Sequence, residues 1–240
     1  MARADGRRLT FEEEGIYNGV FVMRDHETGT LWSHYTGEAF EGPLKGRTLE
    51  WIQTDRSRAG RLLAESPDTT VPARKSMKFR PSAPAASKRD AAMGDFLPPA
   101  FGETIDKRDK RLAVHEHGIG IFAGGAHHFV PLDALSKRSV LQDRVGDLPV
   151  VISIFDKGEA AAAWSRCVDG EPLTFAAATW EDRVALVDQQ TRSTWVAGEA
   201  VDGPMKGRTL TVVRSIITDW YGWVAYFPDS TTREDERSDP

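Results

Sequence analysis

The stretch Ser33-His34-Tyr35-Thr36-Gly37-Glu38-Ala39 brings three hydroxyls, an imidazole and a carboxylate within six positions. An imidazole there exchanges protons near neutral pH, and a hydroxyl and a carboxylate beside it are the companions that general acid–base chemistry uses. Together with Asn18, Asp25 and Trp32, the stretch predicts a pocket for a small polar substrate. Ser33, His34, Glu38 and Asp25 are expected in catalytic roles, with Asn18, Thr36 and Trp32 as binding residues. The plainer reading is a solvated loop whose polar side chains bond to the backbone of its own turn.

Histidines make a second constellation. His115 and His117 share one face of an expected strand, and His127-His128 follow the Gly124-Gly125 turn, so a metal site built from His115, His117 and His128 is in view. Register works against it: with the two glycines as the turn, His127 pairs near Phe122 and His128 near Ile121. His117 then lies four strand positions from His128, about 13 Å at about 3.3 Å per residue. A bulge or a second chain is needed to close such a site, and a transition metal is the cofactor it allows. Cys167 is a lone thiol with only Arg166 as a basic neighbour, more in keeping with packing than with catalysis. "GIGIFAGG" runs strand to strand and lacks the following helix that cradles phosphate, so no nucleotide cofactor is expected.

Composition bounds the partners. A formal net charge of −5 gives no general attraction to nucleic acid or to anionic membranes. One cysteine excludes an internal disulfide and any multi-cysteine zinc site. No long apolar run and no signal-like start occur, so a soluble, cytoplasmic protein is the expectation.

The elements that must position these residues come twice. "GEAFEGPLKGRTL" at 37–49 returns as "GEAVDGPMKGRTL" at 198–210, "DHETGTLW" at 25–32 as "DQQTRSTW" at 188–195, and "DGRRLTF" at 5–11 as "DGEPLTF" at 169–175. Gly42 to Gly203, Leu49 to Leu210 and Pro67 to Pro228 are each 161 apart, whereas Asp25 to Asp188 is 163 and Leu9 to Leu173 is 164. Short deletions in the loops of the second copy account for the drift.

Both copies read as β: "GVFVMRD" (19–25) and "RVALVDQ" (183–189) are strands, and a strand is expected to begin at each "GRTL". Residues 56–65 and 217–226 carry apolar residues at mixed spacing, and a short helix is the expectation for each. The expected class is mainly β with a few short helices, as two pseudo-repeated units sharing a core. Residues 1–71 are a first unit, 72–106 a Pro-rich linker, 107–232 a hairpin plus second unit, and 233–240 a disordered tail. Residues shared by both copies (Asp25/Asp188, Trp32/Trp195, Glu38/Glu199) are the ones packing and loop bonding explain. The polar run before Gly37 has only Val196 and Ala197 as its counterpart.

The ordered motifs resemble a bacterial family catalogued only as a domain of unknown function, number 3179. They are "GGAHHFVPL" (124–132), "VLQDRVGDLPVVISI" (140–154), "GIYNGVFVMRDHETGTLWSHYTGEA" (15–39) and the closing "GPL…PDT" (42–69), with its counterpart "GPM…PDS" in the second copy (203–230). Where the family pattern can lead into a C-P-L-C motif, this chain has Phe155-Asp156-Lys157-Gly158. Residues 107–168 precede the second unit and have no counterpart before the first, so the first unit is expected to be truncated at its start: the protein evolved without that piece, a homo-oligomer or partner chain supplies it, or it was cut away.

The leading expectation is therefore a binding protein or enzyme for a small polar molecule, with its site in the first unit. A non-catalytic assembly module and a histidine metal protein are the alternatives, with no nucleic acid and no membrane as partners.

Overall fold

The computed structural model describes residues 2–52, 63, 66–70, 96–105, 108–155 and 160–233. They are mainly β, in small and almost wholly antiparallel sheets. Two compact units are present, and neither is a simple stretch of chain. The first takes residues 2–52, 96–105, 108–115 and 219–228; the second holds the rest of the described residues.

In the first unit, β1 (Arg3–Ala4) and β2 (Arg7–Arg8) form a ribbon turning at Asp5-Gly6. A meander follows: β3 (Phe11–Tyr17), β4 (Val20–Asp25), β5 (Leu31–Ser33) and β6 (Ala39–Glu41), hydrogen-bonded in that order. The β3–β4 turn is Asn18-Gly19 with φ of 48° and 72°, the left-handed pair that matches strand twist in a two-residue hairpin. Met23 pairs with Trp32 and Val22 with Ser33, so successive residues point to opposite faces. One face sends Met23, Trp32 and Ala39 into a core with Ala4, Leu9, Phe11, Leu44 and Leu49. The other carries Val20, Val22 and Ser33. A short helix α1 (Pro99–Gly102) sets Phe101 edge-on to Phe21, ring centroids 5.4 Å apart.

The second unit opens with the hairpin of β7 (His117–Ala123) and β8 (Ala126–Pro131), in which Ile121 pairs with His128 and Phe122 with His127, the register read from the sequence. After α2 (Leu132–Ser136) come β9 (Val140–Val145), β10 (Leu148–Phe155) and β11 (Ala160–Ser165). One face of β10 and β11 packs Val150, Ile152 and Ala163 with Ile119, Ile121 and Val130. The opposite face packs Val151, Ala162 and Trp164 with Phe175, Leu186 and Trp195. Burial on both faces explains why "LPVVISIF" reads as an unbroken apolar run instead of alternating.

A ribbon of β12 (Cys167–Val168) and β13 (Glu171–Pro172) leads to a second meander: β14 (Phe175–Trp180), β15 (Arg183–Asp188), β16 (Thr194–Val196) and β17 (Glu199–Asp202). Then β18 (Val212–Val213) joins β11, β19 (Ser215–Asp219) joins β7, and β20 (Thr231–Thr232) lies parallel to β8. Between the last two, α3 (Trp220–Tyr226) belongs to the first unit.

Two expectations change. Among the described residues of the first copy no strand follows "GRTL", only an isolated Glu38–Thr48 bridge, whereas in the second a Glu199–Thr209 bridge is followed by β18 (Val212–Val213) at the end of "GRTLTVV". Backbone groups of each "GRTL" close the loop, Leu49 N–H donating to Gly37 O and Leu210 N–H to Gly198 O, each at 2.8 Å. The expected body 107–232 also does not hold together, because 108–115 and 219–228 fold with the first meander. The helix expected within 217–226 is α3. All of the helix expected at 56–65 except Leu63 lies outside the described residues, as do most of the Pro-rich stretch and the tail beyond Arg233.

Candidate functional site

The two meanders make the same loop bonds. Asp25 has no exposed surface; its carboxylate accepts from Trp32 Nε1 at 2.7 Å and from the Thr28 N–H at 2.5 Å. Asp188 likewise accepts from Trp195 Nε1 at 2.9 Å and the Thr191 N–H at 2.5 Å. Burial opposes charge on both carboxyls, but the indole, hydroxyl and backbone donors outweigh it and hold each below its ordinary value. Both Trp32 and Trp195 are fully buried.

These facts alter the predicted site. Asp25 is three positions along β4 from Val22, the partner of Ser33, which is about 10 Å at about 3.3 Å per residue. Being of opposite parity, Asp25 and Ser33 also project from opposite faces. Asp25 and Trp32 therefore do not join Ser33 around one pocket; they pin the sheet's other side.

The copies differ in the hairpin loop after β5 and β16. In the second meander Val196 pairs with Glu199 across the two residues Ala197-Gly198. In the first, Ser33 N–H donates to Glu38 O at 2.9 Å across four residues, His34 to Gly37. Within this longer loop, Thr36 N–H donates to Ser33 Oγ at 3.2 Å and Glu38 N–H to Thr36 Oγ1 at 3.2 Å. Ser33 is buried, while His34 and Glu38 are exposed. Asn18 is half-buried, its backbone committed to the left-handed turn.

The extra residues put Tyr35 over α3. Its ring lies 5.4 Å from that of Tyr226, and 6.3 Å from the His34 ring. Tyr226 in turn meets Tyr17 edge-on, centroids 6.2 Å apart and planes at 88°, and Tyr17 stacks on Phe40 at 6.2 Å. Gly222 permits the approach of α3, since a Cβ there would sit 2.7 Å from Tyr35 Oη and 3.1 Å from Val20 Cγ2. Tyr17 and Phe40 remain open, 56% and 36% exposed. Among the described residues the buried Tyr226 hydroxyl has Ser33 as its hydrogen-bonding neighbour, at a geometry that falls short of a complete bond. Burial pushes its pKa up, and the nearby Ser33 hydroxyl offsets this only in part. The site is thus a protonated phenol beside a buried serine, walled by three further aromatic rings.

Sequence reasoning singled out Ser33, His34 and Thr36 but did not nominate Tyr17, Phe40 or Tyr226. Tyr17 and Phe40 carried a signal, alternation toward the Ser33 face. Tyr226 carried none, since its place depends on a helix nearly two hundred residues downstream of β5.

The proposed metal histidines are divided: His115 is in the first unit, its Nε2 2.8 Å from Phe96 O, and His117 and His128 are in the second. His128 is fully buried, with Nδ1 2.7 Å from Thr231 Oγ1 and Nε2 3.5 Å from Asp143 Oδ2, which Arg233 also faces at 3.3 Å. Burial opposes charge on Asp143, but His128, the Arg144 N–H and Arg233 hold it below its ordinary value. Among the described residues no group of three or more His, Cys, Asp or Glu is arranged to hold a metal, and no helix is long and apolar enough to cross a membrane.

The family model for a protein of unknown function, DUF3179, matches residues 1–230. The chain belongs to that family. No curated protein and no solved structure matches it.

Proposed function

We propose that this DUF3179 protein binds a small polar molecule on the Ser33 face of the first meander, between the His34–Gly37 loop and α3. The observation that carries the reading is the Tyr226 hydroxyl, buried against the Ser33 side chain and, among the described residues, without a fully formed hydrogen bond. An unsatisfied buried hydroxyl costs about 1–3 kcal/mol, a cost a ligand removes by pairing with it. Ser33 and Tyr226 supply the hydrogen bonds, Tyr17, Tyr35 and Phe40 the walls, and His34 an exposed imidazole at the rim. Asp25 and Trp32 serve by fixing the sheet.

Assembly through the sheet edge is less well supported. The edge strand β3 carries Glu12, Glu13 and Glu14 and a register shift between Glu13 and Gly15, features that discourage strand addition.

The test is a thermal-shift and NMR screen of small polar compounds, repeated on Tyr226→Phe and Ser33→Ala. Removing an unsatisfied hydroxyl makes Tyr226→Phe as stable as the parent or up to about 1 kcal/mol more stable, while it weakens ligand binding about tenfold. A destabilised Tyr226→Phe with unchanged binding would show the hydroxyl to be structural and sink the proposal.

A further inference from the structure

Resting on that reading, we infer that the ligand is a small organic cation of the quaternary-ammonium class bearing a hydroxyl, taken up by Tyr17, Tyr35, Phe40 and Tyr226 with Ser33 at the back of the site. Two independent observations point to the charge.

The first is ring geometry. Tyr17 and Tyr226 stand at 88° with centroids 6.2 Å apart, Tyr35 tilts 54° to Tyr226 at 5.4 Å, and Phe40 extends the Tyr17 wall at 6.2 Å. Walls at right angles present more than one π face to a single guest, and a cation within about 6 Å of each centroid is attracted by every ring quadrupole it faces. A flat neutral guest needs parallel walls on its two sides instead.

The second is the local field. Arg24 projects from the same sheet face as Ser33, two positions from Val22. It is bonded to Glu14 and lies in the field of Glu12 and Glu41. One guanidinium against three carboxylates leaves that neighbourhood two charges negative, and exposed Glu38 adds to it at the loop. Such a field draws a cation and repels a carboxylate or phosphate. The buried Ser33 and Tyr226 hydroxyls then receive the guest's own hydroxyl, which a bare tetraalkylammonium lacks.

In the second meander the same positions cannot do this. Val196 stands in place of Ser33, Val201 in place of Phe40, and the two-residue loop leaves no counterpart to Tyr35.

The experiment titrates the full chain with choline and with its neutral isostere 3,3-dimethylbutan-1-ol, following the tyrosine side-chain signals by NMR. Tyr17→Leu and Phe40→Leu are run alongside; both positions are exposed, so the variants keep the fold, checked by circular dichroism. Choline is expected to bind saturably at least about tenfold more tightly than the isostere, with each leucine variant weakening it about three- to tenfold. Equal binding of the two probes, or no saturable choline binding, overturns the inference. In that event, a neutral or anionic compound from the polar screen whose affinity still falls in Tyr226→Phe leaves the site standing and removes only its cation preference. If no compound's affinity depends on Ser33 or Tyr226, the site itself is rejected with it.

Discussion

At the scale of single residues, the two aspartates show how much of this chain's polar chemistry is spent on structure. Asp25 and Asp188 are buried acceptors for an indole N–H seven positions later, and truncating either leaves that donor unpaired inside the protein. Asp25→Ala and Asp188→Ala are therefore expected to lose about 3 kcal/mol each in urea unfolding at pH 7. Because both folded carboxyls sit below their unfolded value of about 3.9, their contribution is intact above about pH 4 and is lost as pH falls through the folded values. The gap between parent and either alanine variant should accordingly narrow on acidification from pH 5 to pH 2; a gap independent of pH would mean that packing, not the carboxylate, is responsible. The structural role of these residues was legible in the sequence, since a position kept in both copies is what a shared fold requires. The place of Tyr226 beside Ser33 was not, because it depends on a helix that returns to the first unit from the far end of the chain.

At the scale of elements, the duplicated glycine motif is a loop whose geometry admits no side chain at one point. Gly42 has φ of 103° and a Cβ there would lie 2.8 Å from the Cα of Thr30; Gly203, at 89°, would meet the Cα of Ser193 at 2.7 Å. Backbone cannot yield as a side-chain tip can, so Gly42→Ala or Gly203→Ala should cost about 2–4 kcal/mol, strain and clash together. Gly46 and Gly207 share a positive φ but, among the described residues, have nothing within 4 Å of a Cβ, so alanine there should cost only the conformational share, about 1–2 kcal/mol. Denaturant midpoints for the four variants test the contrast, and equal losses at all four would refute it. The sequence marked these glycines as punctuation. It suggested a strand after them; the loop takes the backbone groups of Leu49 and Leu210 for itself, and only the second copy goes on to a strand, β18. The longer loop after Ser33 was readable as a change of offset from 163 to 161; its effect, Tyr35 over α3, was not.

At the scale of the whole molecule, chain order and structural membership part company. The helix α3 follows β19 of the second unit directly, yet it folds with the first, where Gly222 lies against Val20 and Tyr35. Periodicity reports which face of a segment is apolar and nothing about which sheet will cover it, so the sequence located the helix and misassigned its unit. A branched side chain at Gly222 discriminates the two assignments. Gly222→Val forces atoms into a space already 3.1 Å from Val20 Cγ2, and overpacking of this kind costs about 1–3 kcal/mol. Hydrogen exchange should then show faster exchange of the ladder amides of β3, β4 and β5, far from residue 222 in sequence, with those of β9, β10 and β11 retaining parental protection. Were α3 instead a part of the second unit, as chain order implies, protection would fall first in β7 and β10 and the β3–β5 amides would be spared. The same variant should weaken ligand binding, because displacing Tyr35 opens one wall of the site.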